Sequence, residues 1–290
     1  MAEDSPSTHI IDQLLAERAP QLLGSPLWPA LGPLRDAFFG YRKACRLAEA
    51  IAPLSGQKAL DHVSELLHLK VRATGVEWVP TTGPCVVVAN HPTGIADGIA
   101  VYDALKRTRS DICFFANADA QRICPRFDEV LIPIVWPATK RTVRSTKVAL
   151  RMAREAIEGG QVLVIFAAGL MSKHIDGRLQ DPPWESSAVA LARKHAVPLV
   201  PVSVKGPYSF LFHLFHRISQ ELRDITLFHE FMNKAGRRYE VTIGAPVDVA
   251  ALEASNEVLT KRLKHYVERV LPEAPQLAYL EGPSSALEQF

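Results

Sequence analysis

The spacing of apolar residues changes near residue 71 and divides the chain into two parts. Before this point apolar residues recur every three to four positions, as in Leu60, Val63 and Leu67, which is the period of an amphipathic helix. We therefore predict helices over residues 10–69. Five prolines divide this part into short segments, namely Pro20, Pro26, Pro29, Pro33 and Pro53.

Beyond residue 71, short apolar runs alternate with helical patterns. Two runs, 85–89 (CVVVA) and 162–166 (VLVIF), are apolar at every position, as in strands that are buried on both faces. Alternating strands and helices predict an α/β fold with a mixed, largely parallel sheet flanked by helices and an N-terminal helical cap. The other predicted strands are 71–79, 112–116, 130–135, 197–204 and 239–243, and the predicted helices are 99–105, 142–158, 186–195, 208–231 and 249–270.

The composition fits this division into one main domain with a helical addition. Hydrophobic residues make up 48% and charged residues 22% of the 290 positions, which excludes a disordered chain. The net charge of +2 argues against a dedicated nucleic-acid-binding protein. We predict an N-terminal helical region over 1–70 that faces a membrane or caps the sheet, an α/β domain over 71–272, and a loose tail over 273–290.

Segments that would direct the chain into or across a membrane are not evident. No run of about 18 apolar residues is present, so we expect no transmembrane helix. The start, MAEDSPSTH, lacks the basic and apolar regions of a secretory signal. Scattered cysteines without C-x-x-C spacing are typical of reduced thiols rather than of a zinc site, namely Cys45, Cys85, Cys113 and Cys124.

The segment 90–98 (NHPTGIADG) follows the run 85–89 and precedes a predicted helix. Ligands bind at the carboxyl ends of strands in open α/β sheets, so His91 lies where a substrate is expected. Asp97 falls at the start of the helix, where a carboxylate is favoured, and Gly94 lets the loop turn through positive φ. We predict that Asp97 bonds one ring nitrogen of His91 and leaves the other as a general base. The alternative is a capped turn without chemistry.

A second polar segment, 166–173 (FAAGLMSK), follows the other fully apolar run. Gly169 allows backbone to approach a ligand, and the hydroxyl of Ser172 with the charge of Lys173 suits a phosphate. The alternative is an ordinary turn with a solvated lysine. We predict that the substrate is bound by Asn90, Gly169, Ser172, Lys173 and Arg141.

On these segments the chain resembles the glycerolipid acyltransferases, which include the lysophosphatidic acid acyltransferases. The resemblance covers roughly residues 70–250. Residues 90–98 match the His-Asp motif of the family, and 166–173 occupy the place of its F-P-E-G-T-R motif. Residues 200–202 match its later V-P-V strand.

The chain departs from the common pattern of the family in two places. Five residues instead of four separate His91 from Asp97, and alanines at 167 and 168 replace the proline and the glutamate. In both respects it is similar to a branch labelled putative haemolysins or lyso-ornithine-lipid acyltransferases. The acceptor headgroup is therefore the part of the resemblance that the motifs define least.

The resemblance implies transfer of a fatty acyl group from acyl-CoA or acyl carrier protein to a lysolipid hydroxyl. His91 takes the hydroxyl proton, Asp97 orients His91, and no cofactor, metal or covalent intermediate is expected. A lysophospholipid such as lysophosphatidic acid is the expected acceptor, and a lyso-amino-acid lipid of the lyso-ornithine type is the main variant. The remaining alternatives are a non-catalytic lipid-binding protein of the same fold and a hydrolase that activates water.

Basic and aromatic residues suggest contact with an anionic membrane surface, which would place the protein in the cytoplasm on the inner face of the cell membrane. Residues 106–160 carry eleven basic and six acidic side chains. A helical stripe of Arg144, Lys147, Arg151 and Arg154 suits lipid headgroups, a CoA phosphate or an acidic carrier protein, or it is a solvated helix face. Candidate N-terminal anchors, or packing residues, are Trp28, Phe38, Phe39 and Tyr41. Three histidines without a metal-binding pattern are expected to be surface or packing residues, namely His213, His216 and His229.

Overall fold

The computed structural model describes residues 9–25, 40–135, 142–175, 178–207, 221 and 225–279, and of residues 174, 175, 178 and 227 it describes the backbone alone. The chain forms two compact units, one helical and one built on a sheet. The helical unit comprises Met1–Leu67, Ala118–Glu129 and Ser209–Ala235, and the sheet unit comprises His68–Asn117, Val130–Tyr208 and Gly236–Phe290.

The helical unit packs around a small apolar cluster of Ile11, Ala44 and Ala48. The Tyr41 ring packs against this cluster, and its hydroxyl donates to Asp12 Oδ1 at 2.7 Å. Tyr41 therefore acts as a packing residue. The helices of this unit are α1 (Ile10–Arg18), α2 (Pro20–Leu23), α3 (Tyr41–Ile51), α4 (Gly56–Leu67), α6 (Asp119–Ile123) and α9 (Leu227–Met232), with a 3₁₀ turn at Pro125–Glu129.

Within the predicted helical region 10–69, the described residues form α1 to α4 with short turns and breaks between them. Residues 26–39, and with them Trp28, Phe38 and Phe39, lie outside the described residues. Later segments, α6 and α9, belong to the same unit. The predicted division into 1–70, 71–272 and 273–290 stays a prediction.

The sheet unit confirms the predicted mixed, largely parallel α/β architecture. Its seven strands are β1 (Lys70–Thr74), β2 (Cys85–Ala89), β3 (Ile112–Asn117), β4 (Leu131–Ile134), β5 (Val162–Phe166), β8 (Leu199–Lys205) and β9 (Arg238–Ile243), and a separate hairpin pairs β6 (Lys173–Ile175) with β7 (Arg178–Gln180). The seven strands lie in the order β1-β9-β8-β2-β5-β3-β4. The five from β8 to β4 are parallel, β9 runs antiparallel to β8, and β1 is parallel to β9.

Helices cover both faces of this sheet, which explains why every residue of β2 is buried. One face is covered by α7 (Val143–Glu158), α8 (Ser187–His195) and α10 (Asn256–His265), which share an apolar cluster with β2 and β5. On the other face α5 (Ile95–Leu105) packs against β1, β8 and β9. Among the described residues, none of the helices has the length and apolar character needed to cross a bilayer.

Two predicted elements are shorter than expected. The strand predicted to reach residue 79 ends at Thr74, because Gly75 turns the chain at φ 76° and a Cβ there would lie 2.0 Å from the Ile243 carbonyl oxygen. The helix predicted from residue 249 begins at Asn256. The preceding carbonyl groups of Val249, Leu252 and Ala254 accept from the Arg193 guanidinium instead of from helical N–H groups.

Part of the predicted loose tail packs within the sheet unit. Tyr279 is buried, and the Tyr266 hydroxyl donates to the Leu277 carbonyl at 2.6 Å. Residues 280–290 lie outside the described part of the chain, as does most of the helix predicted over 208–231.

Candidate active site

The two polar segments lie side by side at the carboxyl edge of the sheet. β2 pairs with β5 in parallel, and Ala89 is opposite Phe166. Each of the two loops begins directly after one of these residues. The position is therefore the one where open α/β sheets bind their ligands.

His91, in the first loop, and Asp97, at the start of α5, form a hydrogen-bonded pair. His91 Nδ1 lies 3.0 Å from Asp97 Oδ2, and the side chains are 20% and 0% exposed. The same carboxylate accepts the Thr93 N–H at 2.8 Å, the Thr93 hydroxyl at 2.5 Å and the Gly94 N–H at 2.9 Å. Four donors thus converge on a carboxylate in the first turn of α5, where the helix dipole also favours negative charge.

Gly94 allows the loop to accommodate five residues between His91 and Asp97. Its φ and ψ of 95° and −147° lie in a region that is essentially open to glycine alone. A Cβ at this position would also lie 2.6 Å from Met171 Sδ in the second loop. The longer spacing therefore still brings imidazole and carboxylate together, as the sequence predicts.

The pairing defines which His91 nitrogen is available for chemistry. An ionised carboxylate only accepts hydrogen bonds, so Nδ1 carries the proton and Nε2 has a lone pair. Within the described part of the chain, Nε2 has no hydrogen-bond partner. The centroids of the Phe166 ring and the imidazole lie 4.5 Å apart, with 31° between the ring planes. This packing restricts rotation of the imidazole. This arrangement suits a general base with a fixed orientation.

The second loop holds the backbone of the first. The Ser172 N–H donates to the His91 carbonyl at 2.9 Å, and the Ser172 hydroxyl donates to Asp181. Gly169 is exposed at φ 61°, with nothing within 4 Å of a Cβ built there. Lys173 is exposed at the start of β6. Open space and a cation therefore lie on the loop beside the imidazole.

The match to known proteins decides the family. Residues 56–271 match the profile of the family described as Acyltransferase. The chain belongs to this acyltransferase family. The resemblance to the glycerolipid acyltransferases is thereby confirmed, and with it the prediction of an enzyme.

Two curated relatives of this acyltransferase share one name. The lyso-glycine lipid O-acyltransferase of Phocaeicola vulgatus is 25% identical over 199 residues, which are 66% of this chain and 69% of that protein. The lyso-glycine lipid O-acyltransferase of Bacteroides thetaiotaomicron is also 25% identical over 199 residues, 66% of this chain and 71% of that protein. The crystal structure of the 1-acyl-sn-glycerophosphate (LPA) acyltransferase PlsC from Thermotoga maritima matches with a TM-score of 0.51 and 19% identity. It covers 83% of this chain and 96% of that one, which shows a shared fold.

Asn90 and Arg141 are the other residues that the sequence predicts to bind the substrate of this acyltransferase. Both ends of the Asn90 amide bond the backbone of Val204 on β8, at 2.9 Å and 2.6 Å. This side chain therefore extends the pairing of β2 with β8. Arg141 lies outside the described residues.

Asp181 is a site residue that the sequence did not indicate. Its carboxylate is 3% exposed and accepts the His91 N–H at 3.2 Å and the Trp184 indole N–H at 2.9 Å. Burial, with a smaller contribution from the nearby charge of Glu268, raises the pKa of Asp181 to about 6 against the lowering effect of its hydrogen bonds. No local spacing signals this contact, because Asp181 and His91 are 90 positions apart.

Tyr239 is a second site residue that the sequence did not indicate. It is buried on β9, and its hydroxyl lies 2.8 Å from the Thr93 hydroxyl. Because Thr93 donates to Asp97, it accepts from Tyr239 at this contact. Tyr239 on β9 therefore supports the first loop through Thr93.

Among the described residues, no three His, Cys, Asp or Glu side chains are grouped so that they would hold a metal ion. His213 and His216 are outside the described part, and His229 lies on α9. The four cysteines are free thiols.

Proposed function

We propose that this acyltransferase transfers an acyl group from a thioester, acyl-CoA or acyl carrier protein, to a lysolipid hydroxyl, with His91 as general base. The observation that carries the proposal is the 3.0 Å contact of His91 Nδ1 with buried Asp97, which leaves Nε2 available at the ligand-binding edge of the sheet. The family shows acyl transfer, and the names of the two curated relatives support a lysolipid acceptor.

The pair accounts for each proton in the reaction. His91 Nε2 removes the hydroxyl proton as the lysolipid oxygen attacks the thioester carbonyl carbon. Asp97 stabilises the imidazolium that forms. When the tetrahedral intermediate collapses, the C–S bond breaks and the sulfur takes the proton from Nε2. The products are the acylated lipid and the free thiol, with no cofactor and no covalent enzyme intermediate.

We propose a lyso-amino-acid lipid as the acceptor, in preference to lysophosphatidic acid. The two curated relatives act on a lyso-glycine lipid according to their names. Lys173 is the one basic residue in 167–173, and Ala168 stands where the family motif has glutamate. A single lysine balances the one charge of an amino-acid carboxylate, whereas a phosphate monoester carries about −1.5 to −2 at neutral pH.

An acceptor screen tests this proposal. With palmitoyl-CoA or palmitoyl-loaded carrier protein, thiol release is expected only when a lysolipid is added, and faster with lyso-glycine lipid than with lysophosphatidic acid. Lys173→Met is expected to raise the acceptor KM roughly 10- to 100-fold, because a charge-assisted bond is lost. Lys194→Met, at an exposed lysine on α8, is the matched control.

Three results of the screen would contradict the proposal, and each identifies a rival. Thiol release without an acceptor indicates a hydrolase. Lipid binding without thiol release from either donor indicates a non-catalytic lipid-binding protein. Faster acylation of lysophosphatidic acid than of lyso-glycine lipid, established by product mass, restores the acceptor first predicted from the sequence.

We also propose that α7 contacts an anionic membrane surface from the cytoplasmic side, where the thioester donors are made. Val143 and Leu150 are 74% and 47% exposed and lie seven positions apart on one helix face. Arg144 and Lys147 are exposed beside them and have no ion pair among the described residues. Arg151 and Arg154, in contrast, pair with Glu155 and Glu158. Apolar and cationic groups side by side suit the interface of an anionic bilayer.

Vesicle sedimentation tests this surface. The double variant Arg144→Glu/Lys147→Glu is expected to weaken binding to phosphatidylglycerol vesicles at least roughly 30-fold, since each basic residue contributes about 1 kcal/mol near such a surface. Binding should also weaken as salt rises. Lys194→Glu/Lys261→Glu, at exposed positions on α8 and α10, is the control. Unchanged vesicle binding would contradict the proposal, and a loss confined to carrier-protein-dependent turnover would assign the surface to that donor.

A further inference from the structure

We propose that ionised Asp181 is a positioning residue that fixes the backbone of His91 and holds the two active-site loops together. This inference rests on the proposed role of His91. Asp181 belongs to neither motif and touches no reacting atom in the proposed mechanism. Its contribution is the placement of the general base.

The carboxylate joins three separate parts of the site. The His91 N–H lies 3.2 Å from both carboxylate oxygens, the Ser172 hydroxyl donates to Oδ1, and the Trp184 indole donates to Oδ2. The Ser172 N–H in turn donates to the His91 carbonyl. Both backbone groups of His91 are therefore held, one by Asp181 and one by a residue that Asp181 also holds.

This geometry assigns the Ser172 hydroxyl to the interior. Ser172 is 3% exposed, and its proton is used in the bond to Asp181. The Ser172 hydroxyl therefore holds the second loop to Asp181, whereas the exposed Lys173 beside it faces solvent. Ser172 therefore acts with Asp181 in placing His91.

The function of the carboxylate depends on its charge. Three donors bond the Asp181 carboxylate, which in its ionised form only accepts hydrogen bonds. A protonated Asp181 carries its own O–H donor, which faces the three donors of His91, Ser172 and Trp184. At least one of these three hydrogen bonds is then lost, and the His91 backbone is held less firmly. The transition falls near the pH at which this buried group titrates, about 6.

Charged groups approach Asp181 from several elements. His91 on the first loop favours the ionised form, and Glu268 on the last helical turn opposes it. Glu268 accepts the Asp181 N–H at 2.7 Å and pairs with Lys264 at 2.6 Å. Lys173, eight positions before Asp181, and Glu185, four positions after it, are exposed. Because the folded-state pKa lies above that of the unfolded chain, the free energy of unfolding falls as the pH rises from about 3.8, the ordinary pKa of the group, to about 6, and the full cost remains at higher pH. Retention of this charge therefore has a functional rather than a stabilising value.

The pH dependence of Asp181→Asn tests the proposal. Asparagine resembles the protonated carboxyl at every pH. With palmitoyl-CoA and lyso-glycine lipid at pH 8, the variant is expected to have a kcat about 10- to 100-fold below wild type, with both KM values within about threefold. The two kcat profiles should converge as the pH falls below 6. A constant ratio at all pH values would show a purely structural role and overturn the proposal.

Two further variants keep the test decisive if Asp181→Asn folds poorly. Ser172→Ala is expected to lower kcat and leave the acceptor KM unchanged, whereas a rise in KM alone would assign its hydroxyl to the headgroup and contradict the proposal. Asp111→Asn removes a carboxylate that pairs with Arg109 at the amino end of β3 and should leave the shape of the pH profile unchanged. If the wild-type protein transfers no acyl group, the proposed function fails. If it transfers acyl groups and the Asp181→Asn profile runs parallel to it, only this inference fails.

Discussion

Replacement of His91 by alanine is expected to lower kcat by about 10²–10⁴-fold, the usual contribution of general-base catalysis. The alanine variant has no group to remove the acceptor proton or return it to the leaving sulfur. The KM values for donor and acceptor should stay close to wild type, because the proposed headgroup contact lies on the second loop. Steady-state kinetics of thiol release with saturating lysolipid measures this.

A matched histidine control separates the chemistry from general disturbance. His68 is exposed between α4 and β1 and has a positive φ of 44°, which asparagine tolerates. His68→Asn is therefore expected to retain wild-type turnover. If His91→Ala keeps its turnover while its thermal unfolding matches wild type, the assignment of the general base is wrong.

Replacement of Asp97 by asparagine is expected to have a comparable effect, about 10³–10⁴-fold in kcat, as when a triad carboxylate becomes an amide. The amide NH₂ would donate to His91 Nδ1 and so place the ring proton on Nε2. The nitrogen that faces the acceptor would then lack a lone pair. The amide would also leave buried donors of Thr93 or Gly94 without an acceptor, which costs about 1–3 kcal/mol of stability.

The test of Asp97→Asn needs a folded protein and a neighbouring control. Asp103 lies on the same helix and pairs with Lys106 at 2.7 Å, so Asp103→Asn should reduce kcat less than about threefold. Thermal unfolding establishes that both variants are folded at the assay temperature. Equal kinetics of the two variants would mean that the orientation of the imidazole does not depend on Asp97.

The sequence predicted most accurately the strands that are buried on both faces of the sheet. The strands at 85–89 and 162–166 have the predicted bounds, because only an apolar side chain fits every position of a central strand. The contact of His91 with Asp97 was also predictable, since one short loop leads from His91, just after a strand, to Asp97 in the first turn of the next helix. The match of residues 90–98 to the His-Asp motif of the family then indicated acyl transfer as the reaction.

Features that depend on distant partners were not predictable. Asp181 and Tyr239 reach the first loop from positions 90 and 146 residues away, and neither lies in a motif with a defined spacing. The late start of α10 follows from the Arg193 guanidinium, which takes carbonyl groups that a helix would otherwise use. Local periodicity carries no information about such contacts.

The order of the strands has a consequence for how the chain is made. The neighbours of β2 are β5 and β8, and β8 is synthesised roughly 120 residues after β2 begins. At about 5–20 residues per second, the ribosome completes that distance in about 6–24 s. Until both partners have emerged, the nascent chain exposes an all-apolar segment with at least one unpaired edge, a pattern that is prone to aggregate. We therefore expect the nascent chain to fold efficiently only if this five-residue segment is shielded until its partners emerge.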